Sequence, residues 1–262
     1  MKTIVITGGT DGIGRALAQT YLDRGDTVVV IGRDATKALG THFIQADLSL
    51  IRDNERVIAE IQAKFPMVDA LVFCARHFRS RRRETPEGIE ENFALFYLSR
   101  YLLGHGLLPL LENADSPIIM NVAGPGGDPS LIHWNDLEFS HGYDGSAALA
   151  QGGPLNDLLG VAFAGQAESI RTRYVLFHPG MTATGLSGEY DAAIEAHIRW
   201  MKKHGKSVAD AIAPIVPLID TPPGEPLSAF VEGRRISVAE GSGSFNAAAA
   251  ARLHEVTRKL LP

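Results

Sequence analysis

The densest group of residues with a recognisable chemistry is a glycine-rich run near the start of the chain, Thr7 to Gly14, which reads TGGTDGIG. It lies between an apolar, β-branched segment and a helical pattern, so its glycines permit a tight turn from a strand into a helix. Glycines also let the backbone approach a pyrophosphate, and the first turn of the helix adds unpaired N–H donors and positive potential. We therefore predict a nucleotide-binding turn. Its predicted contact residues are Gly8, Thr10, Asp11, Gly12, Ile13 and Gly14.

An arginine follows the second apolar segment, in the run Gly32-Arg33-Asp34. In a sheet built from such segments, the second strand ends beside the adenosine ribose of a bound dinucleotide. A guanidinium there favours a 2′-phosphate through paired, charge-assisted hydrogen bonds, which predicts NADP(H) rather than NAD(H). Two alternatives stay open: Arg33 is a solvated loop charge, or the Asp34 carboxylate takes a ribose hydroxyl.

These residues depend on an alternation of apolar, β-branched runs with helical patterns along the chain. Helical spacing is clearest over Gly12–Arg24, after Ser49, from Thr85–Pro86 to Glu112, and over Asn246–Leu261. Such alternation is typical of a parallel sheet with helices on both faces. We predict an α/β fold with a Rossmann-type, doubly wound parallel sheet in a single domain over residues 1–262. The predicted strands are Thr3–Thr7, Thr27–Ile31, His42–Gln45, Ala70–Phe73, Pro117–Val122, Tyr174–His178 and Ala229–Val231.

The third helical pattern, between Thr85–Pro86 and Glu112, is apolar on nearly every side. A helix of this composition is either buried inside the monomer or presents a face to another copy of the chain. The sequence leaves both possibilities open. The second would make the protein a homodimer or a homotetramer.

The composition is that of an ordinary globular protein: 45% of the residues are hydrophobic, 21% are charged and the formal net charge is −5. This balance gives no sign of nucleic-acid binding. No apolar stretch approaches the ~20 residues needed to cross a bilayer, so no membrane association is predicted. The single cysteine, Cys74, cannot form an internal disulfide, and strand-like sequence from Thr3 leaves no room for a signal peptide. We predict a cytoplasmic protein that acts on a small molecule, with no bound metal.

A basic run, Arg76-His77-Phe78-Arg79-Ser80-Arg81-Arg82-Arg83, contrasts with the acidic chain around it. It precedes the third helical pattern, near the predicted mouth of the site. Two interpretations are open: the run attracts an anionic substrate, or it is a solvated loop, as such runs more often are. It lacks the interleaved aromatic residues on which single-stranded nucleic acids stack.

The glycine run resembles the signature T-G-x-x-x-G-x-G of the short-chain dehydrogenase/reductase family, which Thr7, Gly8, Gly12 and Gly14 match. The resemblance extends over nearly the whole chain and implies one nucleotide-binding domain with a nicotinamide cofactor. It also implies further cofactor contacts. These are the adenine-contacting pair Asp47 and Leu48, Ala75 in the segment that replaces the family's N-N-A-G, and Pro179, Gly180, Thr182 and Thr184 in a P-G-x-x-x-T loop.

The residues with which that family transfers a proton have no counterpart here. In the family a tyrosine donates the proton, a lysine lowers the tyrosine's pKa, and a serine and an asparagine complete the group. No lysine occurs between Lys64 and Lys202, the interval where the Tyr-x-x-x-Lys pair belongs. Matching the pattern places Leu149 at the tyrosine and Gly153 at the lysine, and neither side chain can transfer a proton.

The other two members of the group are replaced as well. Asn121-Val122-Ala123-Gly124 matches the family's N-V-S-S segment, which the serine closes, so Gly124 stands at the serine, and Phe96 stands at the asparagine. Arg76 stands where the family has a glycine beside the cofactor, and two alternatives are open: it clashes with the usual nicotinamide pose, or it pairs with a phosphate or an acidic substrate. Gly152 and Gly153 disfavour a helix and Pro154 favours a first turn, so we predict that this helix begins near Pro154. We therefore expect an atypical active site.

Substitute proton donors are predicted in residues 124–148, an insertion that we place over the pocket. The candidates are His133, His141 and Tyr143. Histidine titrates near neutral pH and can act as an acid or a base. The alternative is that these are exposed polar residues of a loop. Residues 185–205 carry bulky apolar side chains at helical spacing, which predicts a substrate lid and a small, largely apolar substrate.

Three functions are compatible with this sequence. The first is an atypical NADP(H)-dependent reductase in which a histidine, a tyrosine or water supplies the proton. The second is a non-redox cyclase, isomerase or lyase that orients a reactive substrate. The third is a catalytically silent nucleotide-binding regulator. Stoichiometric oxidation of NADPH distinguishes the first from the other two.

Overall fold

The computed structural model describes residues 1–38, 42–166, 168–185 and 188–261. The strands are β1 (Thr3–Thr7), β2 (Thr27–Gly32), β3 (His42–Gln45), β4 (Ala70–Phe73), β5 (Phe78–Arg79), β6 (Ile118–Val122), β7 (Arg173–His178), β8 (Gly188–Glu189), β9 (Leu227–Val231) and β10 (Arg234–Ile236). The helices are α1 (Gly12–Asp23), α2 (Ile51–Lys64), α3 (Glu91–Phe93), α4 (Ser99–Gly106), α5 (Leu108–Leu111), α6 (Gly145–Ala164), α7 (Ala192–His204), α8 (Val208–Ile212), α9 (Ile215–Asp220) and α10 (Ala247–Leu260). None of the helices in these ranges is long and apolar enough to span a membrane.

Eight strands form one sheet in the order β10-β9-β7-β6-β4-β1-β2-β3. All neighbours from β3 to β9 pair in parallel, and β10 pairs antiparallel with β9. The direction of strand addition reverses after β3, because β4 pairs with the free side of β1. This is the doubly wound, Rossmann-type sheet that the sequence predicts, and that prediction is confirmed.

Successive side chains of each strand enter two different apolar layers. Val5, Leu71 and Ile119 belong to the layer that α2, α4, α6 and α10 cover. Ile4 and Ile6 belong to the layer beneath α1 and α9. Because helices cover both faces, the strands read as continuous apolar runs rather than as alternating ones.

The third helical segment begins later than the sequence predicts, because residues from Thr85 onwards form a turn that contacts α2. In that turn the Glu87 carboxylate accepts hydrogen bonds from the backbone N–H groups of Ile51 (2.6 Å) and Arg52 (3.1 Å). Glu87 therefore caps the N-terminus of α2 from a distant part of the chain. The prediction of a helix from Thr85–Pro86 is wrong, since these residues form a capping turn.

A buried carboxylate marks the true start of this segment at α3. Glu90 accepts hydrogen bonds from the backbone N–H groups of Asn92 (3.0 Å) and Phe93 (2.7 Å). The Tyr143 hydroxyl donates to Glu90 (3.1 Å) and accepts from the Asn92 side-chain amide (2.7 Å). Burial raises the pKa of the Glu90 carboxyl. Tyr143 thus ties the segment between β6 and α6 to the start of α3.

After α3 the segment continues through a π-helical turn (Ala94–Leu98) into α4, and α10 of the same chain covers its apolar side. The Tyr97 hydroxyl lies 2.7 Å from the hydroxyl of Thr257, and the Tyr101 ring centroid lies 5.5 Å from that of His254. Burial inside the monomer therefore accounts for the apolar composition. A homodimer or homotetramer stays a prediction.

Helix α6 is continuous and contains Pro154 in its interior, so the prediction that it begins near Pro154 is wrong. The helix begins at Gly145, where the Asp144 carboxylate accepts hydrogen bonds from the backbone N–H groups of Ser146 and Ala147. Pro154 removes only the hydrogen bond to the carbonyl of Ala150, which is a solvent-exposed residue. Packing explains the neighbouring glycine: a Cβ at Gly152 would lie 2.1 Å from the Phe96 ring.

Asp157, on the buried side of α6, holds two loops against the helix. Its Oδ2 accepts hydrogen bonds from the backbone N–H groups of Gly126 (2.9 Å) and Gly127 (3.3 Å) and from the Ser244 hydroxyl. Asp157 is fully buried, and burial raises the pKa of its carboxyl to about 7. Asp157 therefore holds both the segment after β6 and the segment before α10 against α6.

We expect the stability of the Asp157→Asn variant to depend less on pH than that of the wild type. An aspartate in an unfolded chain has a pKa of ~3.9, so between pH ~4 and about 7 the folded protein retains a proton that the unfolded chain releases. The free energy of unfolding of the wild type therefore falls as the pH rises through this window. Urea denaturation at several pH values should show the stability difference, wild type minus variant, falling by about 1–3 kcal/mol with rising pH. A difference that is constant with pH would contradict the raised pKa.

The Tyr143→Phe variant should be less stable than the wild type by about 1–3 kcal/mol, because it leaves buried groups of Glu90 and Asn92 without their partner. His141→Ala is the matched control, since that side chain is 94% exposed and should change stability by less than about 0.5 kcal/mol. Chemical denaturation followed by circular dichroism measures both. Equal effects of the two substitutions would show that the Tyr143 hydroxyl does not support α3.

Candidate functional site

A cleft of about 550 Å³ lies at the carboxyl ends of the parallel strands. It spans the point between β1 and β4 where the strand order reverses, which is where open α/β sheets bind ligands. Residues that follow β1, β2 and β3 line one side, which we call the first half. Residues that follow β4, β6 and β7, together with α7, line the second half.

The glycine-rich run forms the predicted turn between β1 and α1. Gly8 and Gly12 have φ angles of +67° and +49°, which favour glycine. A Cβ at Gly8 would lie 2.8 Å from the backbone of Ala75, and a Cβ at Gly14 would lie 2.5 Å from the Gly8 carbonyl oxygen. A side chain is thus excluded at Gly8 and at Gly14, and the N–H groups of the first turn of α1 lie beside the cleft.

Arg33 follows β2 and is exposed on the first half of the cleft. Its guanidinium makes no hydrogen bond or ion pair within the described ranges, whereas its carbonyl accepts from the Gln45 amide at 2.9 Å. The neighbouring Asp34 carboxylate is engaged: it accepts from the hydroxyl (2.6 Å) and the backbone N–H (3.0 Å) of Thr36, and these bonds lower its pKa. The Arg33 guanidinium is therefore available to bind an anion, whereas Oδ1 of Asp34 already accepts two hydrogen bonds.

The structure places every residue that the sequence analysis named as a cofactor contact on the wall of this one cleft. Asp47 and Leu48 lie on the first half, and the Asp47 carboxylate accepts from the Ser49 hydroxyl at 2.7 Å. In the second half, Gly180 has a φ angle of +80°, so the loop after β7 favours glycine there. The full set is Gly8, Thr10, Asp11, Gly12, Ile13, Gly14, Arg33, Asp47, Leu48, Ala75, Pro179, Gly180, Thr182 and Thr184.

A buried cation, Arg100, lies behind the wall of the second half, where its partners Ala75 and Val122 line the cleft. The Arg100 guanidinium is 2% exposed and donates to the side-chain oxygen of Asn121, to the carbonyl of Val122 (3.1 Å) and to the carbonyl of Ala75 (3.3 Å). Its central carbon lies 4.3 Å from the centroid of the Phe96 ring. Burial lowers the pKa of Arg100 to about 9, so the group is still charged at neutral pH.

The remaining walls of the second half are largely apolar. Ala123 lies there, directly before Gly124, where the resemblance places the serine, together with Leu95 and Met201. Gly153, at the position of the lysine, does not line the cleft; its Cβ would lie 3.0 Å from the Gly124 carbonyl oxygen. Among the residues that the structure places around the second half, no serine, tyrosine or lysine is present.

The sequence analysis missed His178 as a site residue because it counted His178 only as the end of a strand. The ring lines the second half and is half-buried, and its Nδ1 accepts the backbone N–H of Gly180 at 3.2 Å. Burial, and then the positive charge of Arg76, lower its pKa. The neutral ring consequently carries its proton on Nε2. Its position directly before Pro179, at the carboxyl end of a parallel strand, is the signal that could have identified it.

The three predicted proton donors lie away from the cleft lining. His141 is exposed beside Asp136, and His133 packs against the ring of Phe139 with 4.3 Å between centroids. Tyr143 belongs to the buried Glu90 cluster described above. Asp157 draws the start of residues 124–148 towards α6, so this insertion does not cover the pocket as expected. Their role as proton donors stays a prediction.

The predicted lid begins on an ion-paired anchor. β5 and β8 pair in parallel, Arg79 lies 2.6 Å from Glu91 and 2.7 Å from Glu189, and Arg83 lies 2.8 Å from Glu189. Much of the basic run is therefore neutralised by carboxylates. From this anchor α7 passes along the cleft. Residues 186 and 187 of the predicted lid lie outside the described residues.

The sequence profile of the family described as short chain dehydrogenase matches residues 2–135, just over half of the chain. Among curated proteins, "Uncharacterized oxidoreductase YKL107W" of Saccharomyces cerevisiae is 31% identical over 150 residues, which are 52% of this chain and 48% of that protein. Retinol dehydrogenase 14 of Mus musculus is 26% identical over 208 residues, 71% of this chain and 62% of that protein. The chain thus spans less than two thirds of the length of these relatives.

A solved structure of a short chain dehydrogenase from Escherichia coli CFT073, complexed with NADPH, superposes with a TM-score of 0.67 at 20% identity. The match covers 89% of this chain and 97% of that one, and at this identity it shows the fold alone. The family profile, the doubly wound sheet and the glycine turn at its switch point agree: this chain belongs to the short chain dehydrogenase family.

Proposed function

We propose that this chain binds NADP(H) across the cleft and acts as an atypical reductase on a small substrate. The observation that carries the proposal is the guanidinium of Arg33, which is exposed on the first half without a partner in the described parts of the chain. A 2′-phosphate would offer it paired, charge-assisted hydrogen bonds. The Asp34 carboxylate, which the alternative requires, already holds Thr36.

The residues present fit such a cofactor. The turn from Gly8 to Gly14 leaves no room for a Cβ at either end, as a close approach of phosphate to backbone requires. Asp47 and Leu48 offer an edge and an apolar surface for the adenine, and the loop from Pro179 to Thr184 closes the far side. The likeness to the NADPH-complexed protein from Escherichia coli supports the same assignment.

The second half supports reduction of a substrate without the family's usual proton donor. Bound NADPH supplies a hydride. His178 presents the Nε2 proton of a neutral ring, held in place by the Gly180 N–H, and is the side chain placed to donate to an oxygen that gains negative charge. Leu95, Ala123 and Met201 would contact the apolar part of the substrate, with residues 185–205 as a lid.

A second candidate is a non-redox cyclase, isomerase or lyase on the same scaffold. It is favoured by the replacement of the proton-transfer group: Gly124 stands at the serine, and Gly153, which stands at the lysine, does not line the cleft. Such an enzyme would accelerate its reaction through orientation and exclusion of water. It would form product without oxidising NADPH, and a silent nucleotide-binding regulator would form no product at all.

Titration with NADPH and NADH tests the cofactor assignment. We expect NADPH to bind at least tenfold more tightly than NADH, because a charge-assisted pair contributes about 1.5–3 kcal/mol. Arg33→Ala should remove most of that preference and leave NADH affinity nearly unchanged. Gly12→Val should weaken both nucleotides, since residue 12 has a positive φ and a side chain there would crowd Thr184. Calorimetry and nucleotide fluorescence measure these affinities.

Arg81→Ala is the matched control, because it removes one exposed arginine that does not line the cleft. It should leave both affinities unchanged. If Arg33→Ala and Arg81→Ala lower NADPH affinity equally, the effect is one of net charge and the assignment of Arg33 fails. If neither nucleotide binds the wild type, the reductase proposal fails as a whole.

A further inference from the structure

One arginine on the second half of the cleft has no ion-pair partner among the residues that the structure describes. In the basic run, Arg79, Arg82 and Arg83 each contact a carboxylate. Arg76 lines the cleft and is exposed to it, and its guanidinium makes no hydrogen bond or ion pair with any residue that the structure describes. Arg81 is likewise unpaired, but it lies outside the cleft lining.

Arg76 is nevertheless held in position. Its guanidinium carbon lies 4.8 Å from the centroid of the Phe96 ring, which the Arg100 guanidinium also contacts. Contact with an aromatic face orients a guanidinium and leaves its in-plane N–H groups available. Phe96 itself is 4% exposed and is fixed against Gly152 of α6. Arg76 therefore points towards the α6 side of the cleft, away from the half that Arg33 occupies.

The second half carries an excess of positive charge. Arg76 and Arg100 both lack a carboxylate partner within the described ranges, and the positive charge of Arg76 lowers the pKa of the neighbouring His178. The Glu232 carboxylate raises the pKa of His178, but it also forms an ion pair with Lys206 at 3.0 Å.

The carboxylates of the cleft wall all belong to the first half, and each already accepts hydrogen bonds from its own turn. Asp11 accepts from the N–H of Gly12, Asp34 from Thr36 and Asp47 from Ser49. Within the described ranges none of them forms an ion pair with Arg76 or Arg100. An anion from outside the protein is therefore the partner that this charge distribution favours.

We propose that Arg76 binds a carboxylate of the substrate, so that the second half takes a small molecule with an apolar body and one carboxylate end. A planar carboxylate matches the paired N–H groups that a guanidinium presents in its plane. Leu95, Ala123 and Met201 are placed to contact the apolar body. This inference rests on the proposed function, in which NADP(H) lies across the cleft, and it narrows the substrate class.

Paired probes of the same shape test the proposal. Benzoate is compared with benzamide, and hexanoate with hexanamide, by ligand-observed NMR titration of the protein saturated with NADP⁺. In the wild type each carboxylate should bind at least tenfold more tightly than its amide. Arg76→Ala should abolish that preference and leave amide affinity unchanged, and Arg76→Lys, which keeps the charge but loses the paired donors, should be intermediate.

Arg81→Ala is the matched control and should retain the full preference. A wild type without preference for carboxylates overturns the proposal, as does an equal loss in Arg76→Ala and Arg81→Ala. If Arg76→Ala weakens NADP⁺ and keeps the carboxylate preference, Arg76 is a ligand of the cofactor phosphates and the proposal is again wrong. Circular dichroism and thermal melting verify that each variant is folded.

The same titrations separate this proposal from the cofactor assignment. If the wild type binds no nucleotide, the proposed function fails, and the carboxylate and amide titrations are run on the nucleotide-free protein. If the nucleotide-free protein prefers carboxylates to amides and Arg76→Ala removes that preference, the anion site is supported although the cofactor assignment fails. Its absence overturns the anion site as well.

Discussion

The second half of the cleft depends on one buried cation, the guanidinium of Arg100. Moving an ion out of water costs several kcal/mol, and here neutral oxygens and the face of Phe96 offset that cost without a carboxylate. The oxygens come from separate elements: Ala75 follows β4, Asn121 lies in β6 and Asn156 lies on α6. Because each must stay within reach of one guanidinium, Arg100 sets the spacing of the strands and helices that enclose the substrate side.

The backbone around this cation keeps the shape of the family's scaffold. Helix α6 stays continuous through Leu149 and Gly153, so the four-residue spacing of a Tyr-x-x-x-Lys pair is retained without its side chains. Asn156 uses its amide to satisfy the carbonyl of Phe96 at 2.9 Å, within the π-helical turn. The second half thus has a buried cation behind largely apolar walls, and in the proposed function His178 exchanges the proton there.

The successes and failures of prediction follow the range of the interactions involved. The strands and α1 are recognisable because the pattern of a strand buried on both faces, or of an amphipathic helix, involves only residues that are close together in the sequence. The helix at Pro154 was predicted wrongly because local preference disfavours it, whereas capping by Asp144 and packing of Gly152 on Phe96 outweigh that preference. Thr85–Pro86 looks like a helix start, yet the turn there caps α2 through Glu87, a contact across more than thirty residues.

The sequence by itself determined the doubly wound sheet, the glycine turn and the grouping of residues along the first half, because each depends on a short motif at the end of a strand. Only the tertiary structure decided the second half. Arg76, Arg100, Ala123 and His178 are far apart in the chain, and their relation depends on which side chains already have partners. It also showed that residues 124–148 turn towards α6, because the buried carboxyl of Asp157 binds them there.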